Sequence, residues 1–208
     1  MKGLILEGIV GSGKSSILRF LRKHINENGS SSFVLDENMT ERPLEPLKSS
    51  DVEKSTKHLN RLVQLMKNLF DLESVAQKSR QIQVQFVLER FHFSHCLDIA
   101  GIDRFSAYAD IDKQMRDLGS KLVVLTMRED VIHERSVVST KKNRGEAWTR
   151  YLEGIAPNEK GVTEFYTAQQ EYFIALCRNS VIPSMVVDTS NCDWEEVSFQ
   201  IVDFLNRA

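Results

Sequence analysis

Residues Gly8 to Ser15 read GIVGSGKS, a complete G-x-x-x-x-G-K-[ST] pattern. A short apolar run, Leu4-Ile5-Leu6, precedes it, and Ile17, Leu18 and Leu21 follow on one side of a helical repeat. No other feature constrains the fold as much. A strand, a glycine-rich turn and a helix start form a cradle for phosphate. Backbone N–H groups converge on the anion, and the helix N-terminus adds the positive end of its dipole. Gly8, Gly11, Ser12, Gly13, Lys14, Ser15 and Ser16 are therefore the expected nucleotide-binding residues. Lys14 is expected to reach the β- and γ-phosphates of ATP, and the Ser15 hydroxyl to ligate Mg²⁺. A chance match in a Gly/Ser turn would lack the flanking strand and helix.

The 208 residues suffice for one α/β domain with a sizeable core. A formal net charge of −2 implies no general polyanion-binding surface, so nucleic acid is not an expected partner. A local basic cluster must then serve a local anion. Cys96, Cys177 and Cys192 are widely spaced and form no C-x-x-C. That argues against a disulfide framework or zinc ribbon and for a reducing, cytoplasmic setting. Met1-Lys2-Gly3 runs straight into the first strand, so no signal peptide is expected. No apolar stretch approaches a membrane span.

Strands alternate with helices, the pattern of a parallel sheet. The expected strands are 3–7, 32–35, 83–88, 121–126 and 185–187. Helices are expected over 14–27, stopping near Asn28-Gly29, over about 51–79, 164–178 and 194–206. The polar stretch with Pro43 and Pro46 reads as a loop. Leu59, Leu62, Val63, Met66, Leu69 and Phe70 recur at helical spacing and read as core packing. No repeat, linker or low-complexity tract divides the chain, so residues 1–208 are expected to form one domain.

Ligands of an open parallel sheet bind beyond the carboxyl ends of its strands. Strand one delivers the phosphate loop there, strand two Asp36 and Glu37, and strand three Glu89 and Arg90. A carboxylate in that position can take the proton of an attacking hydroxyl, or hold Mg²⁺ through water. An arginine can bind phosphate with its planar fork. The plainer alternative for any one of these acids is a solvated loop. A charged pair directly after an apolar strand, however, is expensive without a ligand. After strand four, Arg135, Lys141, Lys142 and Arg144 form a basic segment over about 135–146. Read as a mobile lid, it would neutralise charge in phosphoryl transfer and exclude water. His92, His95 and Cys96 lie close together, but no second cluster completes a metal site, so local packing or a pocket wall is expected. Val186 to Ser190 end the last strand and are assigned to the adenine side.

These motifs resemble a known group. EGIVGSGKSS, from Glu7 to Ser16, looks like the first motif of deoxyribonucleoside kinases. Leu88-Glu89-Arg90 followed by Ser94 resembles their Glu-Arg-Ser motif, and the corresponding motif of thymidylate kinases. His133-Glu134-Arg135, Arg144-Gly145-Glu146 and Tyr151-Leu152 are similar to the arginine-bearing lid and the helix after it. The resemblance implies a three-layer P-loop kinase fold, a five-stranded parallel sheet flanked by helices. It also implies ATP and Mg²⁺ as cofactors, Ser15 as metal ligand with Glu89 acting through water, and, by analogy, a homodimer. Lys14, Glu37, Glu89, Arg90, Arg135 and Arg144 become the catalytic candidates, with Glu37 as base.

The family usually continues Glu-Pro after its base, whereas this chain continues Glu37-Asn38-Met39. Thymidylate kinases place an arginine after a Leu-Phe pair, whereas here Leu69-Phe70 leads to Asp71 and Glu73. An acidic lining suits a neutral or cationic acceptor better than a phosphate. Gln64 stands as a base-reading amide. The expected activity is ATP-dependent phosphorylation of a hydroxyl on a small, nucleoside-like acceptor. A thymidylate-kinase-like enzyme and a kinase of another alcohol, such as an antibiotic or metabolite, remain alternatives. A P-loop switch or ATPase is the alternative from another class. Against a GTPase, the chain has no Asn-Lys-x-Asp motif, and strand three ends Glu89-Arg90-Phe91-His92 rather than in Asp-x-x-Gly.

Overall fold

The computed structural model describes residues 2–27, 31–44, 51–80 and 84–207. Asn28-Gly29, Pro46 and Gln83, used above as boundary signals, lie outside these residues. Strand β1 (Lys2–Gly8) turns into helix α1 (Lys14–Glu27), and β2 (Ser31–Leu35) into the single turn α2 (Glu37–Thr40). After a 3-10 turn at Arg42–Leu44 comes the long α3 (Val52–Arg80), then β3 (Val84–Glu89) and α4 (His92–His95). A π-helical turn to Ala100 and a 3-10 stretch lead into α5 (Ala109–Asp117) and β4 (Ser120–Thr126). Then come α6 (Glu129–Ile132), a π-helical stretch His133–Val138, α7 (Ser139–Asn143) and α8 (Glu146–Ile155). Helix α9 (Glu159–Asn179), β5 (Ser184–Asp188) and α10 (Trp194–Asn206) complete the order.

The five strands are all parallel, in the order β2-β3-β1-β4-β5. Both faces of such a sheet are covered by helices, so its central strands are apolar throughout, with alternate residues feeding opposite layers. Leu4 and Leu6 join Val123, Leu125 and Val87 in the layer under α1 and α10. Ile5 joins Phe86, Leu88, Leu122 and Val124 in the layer under α3, α5 and α9. Helix α3 contributes Leu59, Leu62, Val63 and Met66 to that second layer, with Leu69 partly buried against it, whereas Phe70, expected in the core, is 40% exposed because it lies off the inward face.

Three local readings change. Residues after β2 are not a plain loop: Asp36 caps α2 by accepting from Asn38 N at 3.1 Å, and Pro43 sits in the following 3-10 turn, where its missing N–H is harmless. The basic segment is not a loose flap: from Glu129 to Asn143 the chain is helical almost without a break. Helix α9 begins earlier than its apolar pattern suggests, because Asn158 caps it through Gly161 N at 2.8 Å. Among the described residues no helix is long and apolar enough to cross a membrane.

Candidate active site

Strand β1 runs between β3 and β4, so its carboxyl end opens at the centre of the sheet, where the crossovers diverge to the two sides. The phosphate loop there is fixed by close packing. Gly13 has φ +94°, and a Cβ on it would lie 2.3 Å from the ring of Trp194. Gly11 has φ +80°, and a Cβ would meet the Arg135 backbone at 3.1 Å. Both conditions leave glycine as the fitting residue. Thr189 Oγ1 donates to Ser12 O at 2.8 Å, and Ser136 Oγ to Val10 O at 2.6 Å. The loop is thus held from the β5 side and from the helical segment after β4.

Lys14 Nζ donates to Gly8 O at 2.8 Å and Ile9 O at 3.1 Å, within the curl of its own loop. Burial pushes its ammonium down to about 8; Arg90 adds to the effect, and Glu89, Glu37 and Glu41 oppose it. Gly11, Gly13, Lys14, Ser15 and Ser16 line a cavity of about 350 Å³ with Glu37, Glu89, Arg90, Arg135 and Arg144. Every catalytic candidate from the sequence therefore reaches one cavity. Two of the expected binding residues do not line it. Ser12 is fully buried, and Gly8 offers its carbonyl to Lys14, so both build the loop from behind.

Glu37 opens α2 and accepts from Arg42 Nη2 at 2.6 Å. Burial works to raise its carboxyl, but the Arg42 hydrogen bond and the charges of Arg90, Arg42 and Lys14 hold it below the usual range. Glu89, at the end of β3, is 5% exposed and is pushed up by burial, against the pull of Lys14. It makes no ion pair among the described residues, which suits a group waiting for a cation. The Ser15 hydroxyl and the Glu89 carboxylate are the oxygen donors appropriate to Mg²⁺. That ion keeps most of its shell as phosphate oxygens and water, so a cage of three acidic or imidazole ligands is not needed, and none exists among the described residues.

Arg90 is held in an unusual way. Its φ is +54°, a left-handed conformation uncommon for any residue but glycine. Arg90 N donates to Leu6 O at 3.0 Å. Next to it Glu7, wholly buried, accepts from Phe91 N at 2.8 Å, Phe93 N at 3.1 Å, Ser94 N at 3.3 Å and Ser94 Oγ at 2.7 Å. One carboxylate from β1 thus caps the start of α4 and fixes the turn that aims Arg90. The guanidinium takes Glu41 in its fork, Nη2 donating to Oε1 at 2.7 Å with Nε against the second oxygen, and lies 3.7 Å from Asp98. Burial works against its charge, but these two acids raise its pKa further above the ordinary range.

A second cavity of about 570 Å³ adjoins the first and shares Val10, Glu37, Arg90 and Trp148 with it. Its remaining walls are Glu41, Arg42, His95 and Asp98 on one side, and Tyr151, Phe165, Tyr166 and Gln169 on the other. Sequence reasoning missed most of these residues. Tyr151 was noted only as part of a motif, and the spacing of Trp148 to Tyr151 on one helical face was the available signal. The acidic lining expected from Asp71 and Glu73 comes instead from Glu41 and Asp98: Asp71 is exposed on α3 and touches neither cavity, and the side chain of Glu73 lies outside the described residues. Gln64 is likewise exposed, donating to Asn68, so the pocket's amide is Gln169.

The histidines pack locally. His95 Nε2 bonds Thr40 O at 2.7 Å, so that nitrogen carries the proton and Nδ1 accepts from Ser55 Oγ at 2.8 Å. Burial pushes His95 down to about 4, which keeps it neutral. His92 bonds Asp112 at 2.9 Å in the core. The basic segment divides. Arg135 donates to Thr189 O at 2.8 Å and lies 5.0 Å over the Trp194 ring, while Arg144 lies 4.6 Å over Trp148. Lys141 turns away to Glu159.

No model of a known protein family and no curated protein sequence matches the chain. Solved structures do. YorR from Bacillus subtilis, in complex with phosphorylated GDP, is similar over 98% of this chain and 95% of its own, with 17% identity and a TM-score of 0.58. Shikimate kinase from Bacteroides thetaiotaomicron is similar over 99% and 98%, with 14% identity and a TM-score of 0.52. Thymidylate kinase from Ehrlichia chaffeensis is similar over 99% and 98%, with 14% identity and a TM-score of 0.50. Together with the loop from Gly8 to Ser15 and the all-parallel sheet behind it, these likenesses give the chain the fold of the P-loop kinases.

Proposed function

We propose that this protein is an ATP-dependent kinase that transfers the γ-phosphoryl group to a hydroxyl of a small, nucleoside-like acceptor. One observation carries the reading: the phosphate-loop cavity and the aromatic, acid-lined cavity meet at Glu37 and Arg90. In that arrangement the phosphate loop and Lys14 hold the triphosphate. Ser15, and Glu89 through water, would hold Mg²⁺, which would supply charge neutralisation to the triphosphate. The acceptor O–H lies beside Glu37. As its oxygen bonds to the γ-phosphorus, the bond from that phosphorus to the β-phosphate oxygen breaks, ADP leaves, and the proton passes to Glu37. Arg135 and Arg144 neutralise the charge that grows on the transferring group, and Arg90, its fork held by Glu41, adds positive charge to the wall between the two cavities. A base held below the usual glutamate range stays ionised throughout the neutral region.

The nucleoside-like character rests on the second cavity. Trp148, Tyr151 and Phe165 offer flat apolar surfaces, Gln169 an amide, and the volume suits a small ligand. YorR and thymidylate kinase, by their names and ligand, point to nucleotide chemistry, whereas shikimate kinase shows that the same fold serves another alcohol. The reading carries a cytoplasmic setting and a homodimer with it. The test is a screen of nucleosides, nucleoside monophosphates and unrelated alcohols with ATP-Mg²⁺, scored by acceptor-dependent ADP release. Release with a nucleoside supports the reading. Release with monophosphates alone replaces it by a nucleotide kinase, and acceptor-independent hydrolysis by an ATPase.

A further inference from the structure

The planar fork of Arg90 is the natural receptor for two oxygens of a phosphate, and it stands on the wall of the larger cavity. That fork is already filled. Glu41 presents both its oxygens to Nε and Nη2, the spacing a phosphate would also offer. Its position is not accidental to a floppy loop: Glu41 N donates to Glu37 O at 3.0 Å, so it closes α2 one turn after the candidate base. Both partners are largely withdrawn from solvent, with 13% of the Arg90 side chain and 18% of the Glu41 side chain exposed.

The surroundings deepen the effect. The carboxylates on the cavity wall are Glu37, Glu41 and Asp98, and the guanidinium groups are Arg42 and Arg90. Glu37 engages Arg42 and Glu41 engages Arg90, which leaves Asp98 at 3.7 Å from an arginine that is already committed. Burial, with the hydrogen bond and the charge of Glu41, pushes Asp98 upward against the pull of Arg90; the 40% of its side chain open to water offsets part of that shift. A dianionic acceptor would have to displace Glu41 and leave it unpaired beside Asp98.

We propose that Glu41 sets the acceptor class of this site: by occupying the Arg90 fork as an internal stand-in for phosphate, it admits hydroxyl acceptors and rejects phosphomonoesters. Glu41 acts through Arg90 and is therefore a positioning residue, and its selectivity works by repulsion as much as by attraction. The inference rests on the kinase reading only in treating the larger cavity as the acceptor's.

The test reads binding rather than turnover, so its failure is distinct from failure of that reading. The phosphate loop is first saturated with a non-hydrolysable ATP analogue and Mg²⁺, and inorganic phosphate and thymidine monophosphate are then titrated in by calorimetry. If the analogue itself does not bind, the kinase reading falls, and the same phosphate titration on the free protein still decides the role of Glu41. The wild-type protein should bind neither probe appreciably; tight binding of either overturns the proposal without any variant. Glu41→Gln, folded by thermal melting, should bind both at least about tenfold more tightly, with no matching gain for thymidine. Adding Arg90→Gln should abolish the gain. Glu41→Asp, which keeps the charge but withdraws it by one methylene, should gain less than Glu41→Gln, and serves if the amide variant does not fold. No gain in either variant, or a gain that survives loss of Arg90, rejects the role of Glu41.

Discussion

Close around the Lys14 ammonium the phosphate loop itself presents main chain: Gly8, Gly11 and Gly13 at positive φ, the carbonyls of Gly8 and Ile9, and the first turn of α1, with the charged side chains of Glu37, Glu89, Arg90, Arg135 and Arg144 further out on the cavity wall. Around Glu41 the walls are side chains gathered from α2, the turn after β3, the π-helical turn after α4, α8 and α9. The first region recognises something every nucleoside triphosphate shares, and backbone suffices for that. The second must tell one acceptor from another, and only side chains carry that information. The two meet at Glu37 and Arg90, so substitutions on either side of that line should have different kinetic signatures.

The largest effect is expected on the nucleotide side. Lys14→Ala removes the point charge between the β- and γ-phosphates, and turnover should fall by about a hundredfold to a thousandfold. The fold should survive, since loop glycines and hydrogen bonds from Thr189 and Ser136 hold the loop. Near-normal turnover in a folded variant would end the kinase reading.

On the border, Glu37→Gln keeps size and hydrogen bonding but not basicity. We expect kcat to fall about a hundredfold, the usual scale of general-base catalysis, with ATP affinity nearly unchanged. A matched loss of ATP affinity would move Glu37 to the nucleotide side of the comparison. Arg135→Ala and Arg144→Ala should lower kcat more than they weaken ATP binding, by about tenfold, because the charge they meet develops mostly in the transition state. Arg135 should show the greater loss, as it is fixed by Thr189 and Trp194, whereas Arg144 is exposed. Equal, wild-type behaviour in both would reduce the segment to a structural helix.

The smallest effect is a pH dependence. Phosphate binding favours charged Lys14, whose free-site pKa is lowered to about 8. Below that pH the ammonium is already formed; above it, binding must take up a proton. ATP affinity should therefore be level below pH 8 and fall as pH rises beyond it, and Lys14→Ala should flatten the curve. Affinity that is flat from pH 7 to 9.5 in the wild-type protein would place the proton elsewhere.

How much of this was legible in the sequence follows the same division. Trp194–Asn206 was bounded correctly and the start of α1 at Lys14 was placed correctly because their signals are local; the stop signal Asn28-Gly29 lies outside the described residues. The phosphate loop was legible because its parts are contiguous. Gln64 and Asp71 misled because motif spacing placed them on α3 without saying which face was inward. Leu59, Leu62, Val63 and Met66 claim that face, and Gln64 and Asp71 fall outside it. The basic residues of 135–146 suggested a mobile lid, but the segment is helical to Asn143, with tertiary contacts through Ser136 and Arg135. Glu41 and Asp98 converge on Arg90 from distant points of the chain, and no local pattern announces that.

The placement of the tryptophans has a practical consequence. The chain has two. Trp194 lies against the loop glycine Gly13 and under Arg135, on the wall of the smaller cavity alone. Trp148 lies under Arg144 on the wall the two cavities share. The protein is thus supplied with two intrinsic optical reporters, one at the nucleotide station and one where the two stations meet. A Trp148→Phe protein would signal arrival of the nucleotide alone by its remaining indole emission, while in a Trp194→Phe protein Trp148 would answer to nucleotide and acceptor, so comparing the two would time the order of substrate addition without attaching a label.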